Sequence, residues 1–496
     1  MIFRKYTFLR TLSILLLAVL FVQQLPVVSA TADTSDATTA DFAWPVGPSI
    51  HANGAIVMEA STGLILYEKD IYTAYYPASI TKILTALLAL ENCSLDETVT
   101  MSQAAQKNTY GSQIGLVAGE QTLLEHAMYG MMLDSANEVS YAIGEHVAAK
   151  VNSSAGSMEE FSAIMNARAA ELGCVNSHFT NSHGLHEAEH YTCAYDMALI
   201  SRAAIALPDF RTIAGARTHV MPPTNKNVTR YLAHHHRFIN KNNDVPHYDY
   251  TIAGKTGATE QALSTLVTFA EKDGMLLIAV VLHVDTALHA YQDTIKLLDF
   301  AFEHYSIYDI EDAELNLELD FPALFSKTPN FASSPNTLIR ISENGKVILP
   351  NSGSLSAATK TITYTPVDEF VHGDNIIGQI SYQLGGKTVG YADILYYNPD
   401  YPVTRAEFEA RWPAYLIPPA IALENTELDT EAPDTTEPSS KNTSAKELLP
   451  IILGIVAGIL IFGIGIYVIF ILLPRRKNQK LRRRHSRRRS HSSRLR

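Results

Sequence analysis

Two kinds of apolar spacing alternate along the chain and divide it. Gly54-Ala55-Ile56-Val57-Met58-Glu59 and Leu64-Ile65-Leu66-Tyr67-Glu68 flank Ala60-Ser61-Thr62-Gly63, the pattern of a β-hairpin. From Ser79 to about Leu207 the apolar positions fall mostly at helical spacing, in several pieces. The first piece carries Leu84, Leu87, Leu88 and Leu90 behind an extended Tyr76-Pro77-Ala78 entry. Strand-like runs return at Leu263 to Phe269 and Met275 to Val284, around the turn Glu271-Lys272-Asp273-Gly274. A helix with Tyr291, Ile295, Leu298 and Phe302 on one face follows. Strands early, helices between and strands late predict one mixed sheet covered by helices, an α+β unit over residues 46–305.

After Tyr305 the texture changes. Leu338 to Ile341, Thr361 to Tyr364 and Ile376 to Tyr382 are short alternating runs separated by Asn-Gly, Gly-Gly and Pro-containing turns. They predict a small all-β module over residues 306–418 with no catalytic constellation of its own. Residues 419–447 are rich in Thr, Glu, Pro and Ser and read as a disordered stalk.

The two ends read as membrane signals. Arg4, Lys5 and Arg10 precede an apolar run from Ile14 to Val22 and small residues at Val28-Ser29-Ala30, the layout of a secretory signal peptide over residues 1–30. A flexible lead-in, residues 31–45, follows. Leu448 to Leu473 holds no charge and is long enough to cross a bilayer, so residues 448–473 are predicted to be a transmembrane helix. The basic tail, residues 474–496, has no acidic residue and would face the cytoplasm, leaving the rest extracytoplasmic.

Charge and cysteine count narrow the possibilities. Setting aside twelve basic residues in the tail and three in the leader, the net charge of −12 becomes −27 for residues 31 to 474. Such an acidic exported portion argues against nucleic acid as a partner. Cys93, Cys174 and Cys193 are too few for a disulfide framework and lack metal-ligand spacing, so they read as small buried apolar residues.

The chemistry lies in three short motifs. Ser79-Ile80-Thr81-Lys82 stands at a helix start, where residues three apart share a face and bring a hydroxyl to an amine. A hydroxyl needs a base beside it, and a lysine serves only if burial or a neighbouring cation lowers its pKa from ~10.4. Chance alone supplies roughly two Ser-x-x-Lys pairs in a chain this long, and a lone one is usually a helix cap. Two further motifs change that. Ser135-Ala136-Asn137 follows the apolar Ala127 to Leu133 stretch, and Lys255-Thr256-Gly257 precedes the strand Leu263 to Phe269. Ser135 offers a proton relay and Asn137 an amide. Lys255 offers a second positive charge and Thr256 a hydroxyl for a carboxylate. Gly257 lets a substrate backbone approach the strand edge.

Ser-x-x-Lys, Ser-x-Asn and Lys-Thr-Gly in this order resemble the signature set of penicillin-binding proteins and serine β-lactamases. Tyr76-Pro77-Ala78-Ser79, Asp134 to Asn137, Phe179 to Leu185 and His190 to Ala198 narrow this to low-molecular-weight D-alanyl-D-alanine carboxypeptidases, over residues 46 to 415. The resemblance implies a β-lactamase/transpeptidase-like fold: an antiparallel sheet covered by helices plus an all-helical lobe, followed by a small all-β domain. It implies Ser79 as acylated nucleophile, Lys82 as general base, and Ser135 and Lys255 as aids to proton transfer. Asn137, Lys255, Thr256, Gly257 and Ala258 would contact the substrate, and the N–H groups of Ser79 and Ala258 would hold the oxyanion. Partners would be peptidoglycan stem peptides ending in D-Ala-D-Ala, β-lactams as covalent inhibitors, and the membrane, with no cofactor or metal. At position 258 relatives often carry histidine, but only the backbone N–H is needed.

Rival readings are a serine β-lactamase, a membrane penicillin-sensing receptor and a wall-binding scaffold with a dead site. No Glu-x-x-Leu-Asn string that would activate a deacylating water lies between Asn137 and Lys255. His234-His235-His236 reads as a polar loop, since consecutive residues do not converge on one ion. His183 and His186 read as turn residues bordering the site, and Asp196 and Arg202 as structural helix charges.

Overall fold

A computed structural model describes residues 43–241, 247–310, 339–365, 371 and 373–398. The leader, the lead-in up to residue 42, the stalk, the apolar run Leu448 to Leu473 and the basic tail lie outside the described residues. Among those that are described, no helix is long and apolar enough to cross a membrane.

The predicted hairpins form. Strand β1 (Gly54–Glu59) turns into β2 (Ile65–Lys69), and the chain returns far downstream as β3 (Thr251–Thr259), β4 (Leu263–Lys272) and β5 (Met275–Val284). The sheet order is β2-β1-β5-β4-β3, and every pairing is antiparallel. This corrects the mixed sheet read from the pattern alone. β3, β4 and β5 are joined by tight turns and form a meander, and β5 then docks beside β1, so no parallel crossover is needed.

Both faces of the sheet are covered, which is why its central strands are continuously apolar. Ile56 and Met58 of β1, with Ile278, Val280 and Leu282 of β5, face one core. Their alternates Ala55, Val57, Leu277, Ala279 and Val281 face another. The first core belongs to a helical lobe. At its centre is α1 (Lys82–Asn92), which is buried continuously from Lys82 to Ala89 rather than along one stripe. Around it pack α2 (Leu124–Leu133), α3 (Asn137–Asn152), α4 (Met158–Glu171) and α5 (Ala194–Ile205).

The second core is closed by α6 (Ala287–His304), whose Tyr291 and Leu298 are buried. It runs on into a second antiparallel sheet. Its strands are β6 (Tyr305–Asp309), β7 (Ile339–Ile341), β8 (Lys346–Pro350), β9 (Thr359–Tyr364), β10 (Gly373–Leu384) and β11 (Lys387–Asn398). They are ordered β6-β8-β11-β10-β9, with β7 also on β11.

Asp196 accepts from the backbone N–H groups of Val175 and Asn176 and from Ser177, and Arg202 donates to Ala60 and Ser61 carbonyls, so both are structural. All three cysteines are free thiols; Cys193 is buried and the other two half-buried. The triple histidine is not a polar loop. His234 and His236 are buried, His234 against the Ala214 carbonyl and His236 against Thr268, while His235 stays exposed enough to approach Asp134. Burial holds His234 neutral, down to about 3.

Candidate active site

Ser79 sits in a single tight turn, Ala78–Thr81, that runs directly into α1. Its entry is unusual. Ala78 adopts φ +52°, which an L-residue visits only when its surroundings hold it. Three devices fix it. Thr81 Oγ1 donates to the Ala78 carbonyl at 2.9 Å and meets His190 Nε2 at 2.9 Å. His190 Nδ1 accepts from Thr180 N–H, so the proton resides on Nε2. Thr265 Oγ1 of β4 donates to the Pro77 carbonyl at 2.8 Å. Gly184, at φ +83°, passes against the Ala78 carbonyl where any Cβ would overlap it.

The Lys82 amine lies 2.9 Å from Ser79 Oγ. It also donates to Asn137 Oδ1 and to the His183 carbonyl, both at 2.7 Å. Lys82 is fully buried, and burial, then the positive charge of Lys255, push its pKa well below the lysine range; Glu138 opposes them. A buried neutral amine beside a hydroxyl is a base poised on a nucleophile.

Ser135 occupies the turn between α2 and α3 at φ +59°, and its Oγ accepts from the Lys255 amine at 3.0 Å. Burial brings Lys255 down to about 7, opposed by Asp134. Asn137 opens α3; its Nδ2 donates to the Tyr110 carbonyl at 2.6 Å, so its amide ties the Tyr110–Ser112 turn to Lys82. Lys255, Thr256, Gly257 and Ala258 lie on β3, which is the sheet edge. Gly257 faces the Ser79 turn: a Cβ there would stand 2.9 Å from Ser79 N and 3.0 Å from the Pro77 carbonyl oxygen. Only glycine lets the strand lie this close.

The eight residues singled out by sequence therefore converge. Ser79, Ser135, Thr256, Gly257 and Ala258 line a cleft of about 250 Å³, with Lys82, Asn137 and Lys255 buried behind it. Sequence reasoning missed Ser112, Arg237 and Tyr291 on the same cleft. It also missed Glu138, a buried carboxyl raised by desolvation that accepts from Ile114 and Gly115 N–H groups. Glu138 follows Asn137 directly, a weak signal; Ser112 and Arg237 carried none. His183 contributes its carbonyl, while its ring accepts from Leu185 N–H.

The D-alanyl-D-alanine carboxypeptidase (Peptidase S11) family pattern matches residues 40–286. D-alanyl-D-alanine carboxypeptidase DacF of Bacillus subtilis is 32% identical over 308 residues, 61% of this chain and 73% of that protein. The chain belongs to the D-alanyl-D-alanine carboxypeptidase family. DacC of Escherichia coli is 27% identical over 69% of this chain and 82% of that one. Among solved structures, the Streptomyces K15 DD-transpeptidase is 26% identical over 52% of this chain and all of its own, with a TM-score of 0.47. In this family member, the turn, the Ser135 corner and the edge strand form one compact constellation.

Proposed function

We propose that the chain is a serine D-alanyl-D-alanine carboxypeptidase that removes the terminal D-alanine from peptidoglycan stem peptides through an ester on Ser79. The observation that carries the mechanism is the buried Lys82 amine at 2.9 Å from Ser79 Oγ, behind a cleft walled by an edge strand. Family membership supports the reaction class.

Neutral Lys82 takes the Ser79 proton as Oγ attacks the carbonyl of the penultimate D-alanine. The N–H groups of Ser79 and Ala258 receive the developing oxyanion. The substrate chain pairs with the free edge of β3, which positions that carbonyl. The C–N bond then breaks as the departing D-alanine amine takes, through Ser135, the proton that Lys82 removed from Ser79, which leaves Lys82 neutral again; Lys255 holds the Ser135 hydroxyl in place. Thr256, with Lys255 and Arg237 nearby, receives the terminal carboxylate. Water, deprotonated by neutral Lys82, attacks the ester; the proton then passes to the departing Ser79 Oγ and the shortened peptide is freed. A β-lactam opens on Ser79 by the same attack but leaves its amine tethered, so the ester persists.

We further infer attachment to the cell membrane through Leu448 to Leu473, with the cleft on the wall side; the uncharged span and its basic flank support this.

The test is alanine release from a synthetic pentapeptide ending in D-Ala-D-Ala, beside one ending in D-Ala-L-Ala. Release from the first alone is expected. Release from neither, by a folded protein, contradicts the proposal.

A further inference from the structure

Away from the cleft, three side chains of metal-ligating type meet between the two helices that carry Lys82 and Asn137. Cys93 immediately follows the last residue of α1, Glu97 sits in the turn after it, and His146 lies within α3. One ligand atom from each lies within 4.8 Å of the other two. His146 Nε2 stands 3.0 Å from Glu97 Oε2. We propose that Cys93, Glu97 and His146 form a site for a divalent transition-metal ion of the zinc type, which clips α1 to α3.

Ligand chemistry selects the ion. A thiolate, an imidazole and a carboxylate together suit a borderline-soft dication and not calcium or magnesium, which take oxygen sets. A tetrahedral zinc ion places its ligand atoms roughly 3.3–3.8 Å apart, so closure requires movements of about 1 Å. The His146–Glu97 distance of 3.0 Å is already shorter than that edge, so these two ligands part slightly to admit the ion. The fourth position is left to water, since the His146 and Glu97 side chains are 22% and 24% exposed.

The surroundings hold the ligands. Ser94 N–H donates to Glu97 Oε1 at 2.7 Å, and the Glu97 carbonyl accepts from Leu124 N–H at 2.8 Å, which fixes the turn. Lys150, one helical turn beyond His146, pairs with that same Oε1 and not with Oε2, the oxygen facing the imidazole. The ion therefore enters on the Oε2 side and replaces the His146–Glu97 contact. Lys150 remains the competing cation for this carboxylate.

Burial and the neighbouring carboxylate keep the Cys93 thiol protonated, up to about 11. Binding breaks the S–H bond and forms the S–metal bond, and the proton passes to solvent. The site lies roughly 14–16 Å along the helices from Lys82 and Asn137, so occupancy stiffens the lobe without entering the chemistry.

The experiment is titration of the metal-stripped full-length chain with zinc against a chromophoric chelator, and with cobalt(II) followed by absorption. A single equivalent is expected, with a thiolate-to-cobalt charge-transfer band and the strong visible absorption of four-coordinate cobalt. Cys93→Ser and His146→Gln each weaken zinc by about 100-fold or more, and Cys93→Ser abolishes the charge-transfer band. Cys174→Ser leaves both intact, and Lys150→Met tightens zinc. Zinc raises the unfolding temperature of the wild type and of Cys174→Ser but not of Cys93→Ser. Lack of stoichiometric binding overturns the proposal. So does binding that survives in both Cys93→Ser and His146→Gln.

Discussion

His190 offers a direct reading of how the fold holds the Ser79 turn. It is almost wholly buried, accepts from Thr180 N–H and meets Thr81, which in turn holds the Ala78 carbonyl. Burial above all lowers its pKa to about 3 from an ordinary 6.5. Between those values the unfolded chain binds the proton and the folded chain does not. Stability is therefore complete above pH 6.5, falls as the pH drops below it, and levels off only near pH 3. At pH 5 the deficit is about 1.5 pKa units, or about 2 kcal/mol from this one side chain. The perturbation is His190→Gln, which keeps hydrogen-bonding groups and removes the titration. Urea unfolding of both proteins at pH 8 and pH 5 gives the comparison. The variant is less stable than wild type at pH 8, and the gap shrinks by about 2 kcal/mol at pH 5. Penicillin acylation, followed alongside, slows in the variant at both pH values because the Ala78 turn loosens. A gap that stays constant with pH would refute the argument that the fold holds His190 neutral.

Three other outcomes follow from the same geometry. Gly257→Ala brings a methyl group into overlap with Thr265 Oγ1, 2.9 Å from Ser79 N and 3.0 Å from the Pro77 carbonyl oxygen, so Thr265 and the turn it holds must both shift; acylation by a fluorescent penicillin falls by about 100-fold with the circular dichroism unchanged. A loss under about threefold would mean the strand and turn part freely. Thr265→Val leaves the Pro77 carbonyl without its donor and costs about 1–3 kcal/mol in thermal unfolding, with slower acylation; an unchanged melting temperature contradicts that role. Lys255, lowered to about 7, loses its charge as the pH rises through neutrality, so the KM for a peptide with a free carboxylate climbs above pH 7. In Lys255→Arg the charge persists and that climb disappears; the same pH profile in both proteins would remove Lys255 from anion binding.

What the sequence made legible was set by local rules. The hairpins around Ala60 to Gly63 and before Val284 follow from alternation and turn residues, and both form, with the strand from Leu263 running on to Lys272 rather than ending at Phe269. The antiparallel order was not legible from alternation alone, because β5 pairs with β1 across more than two hundred residues. The motifs were legible because serine, lysine and glycine at fixed spacing answer to chemistry. Their support was not. The Ser182 and His183 carbonyls, which hold Thr85 and Lys82, are backbone atoms that any residue supplies. His234 and His236 looked polar because their burial depends on Ala214 and Thr268, distant in the chain. Arg237 reaches the cleft from a segment with no pattern of its own.

The central claim is an ester on Ser79 formed with Lys82 as base. Intact-mass spectrometry of the protein incubated with benzylpenicillin, with peptide mapping of the adduct and Ser79→Ala in parallel, tests it most directly. The account predicts a long-lived adduct of one penicillin on Ser79, none on the variant, and alanine release from D-Ala-D-Ala peptide by the wild type alone. An adduct that turns over within seconds, or a wild type that carries none while correctly folded, would contradict it.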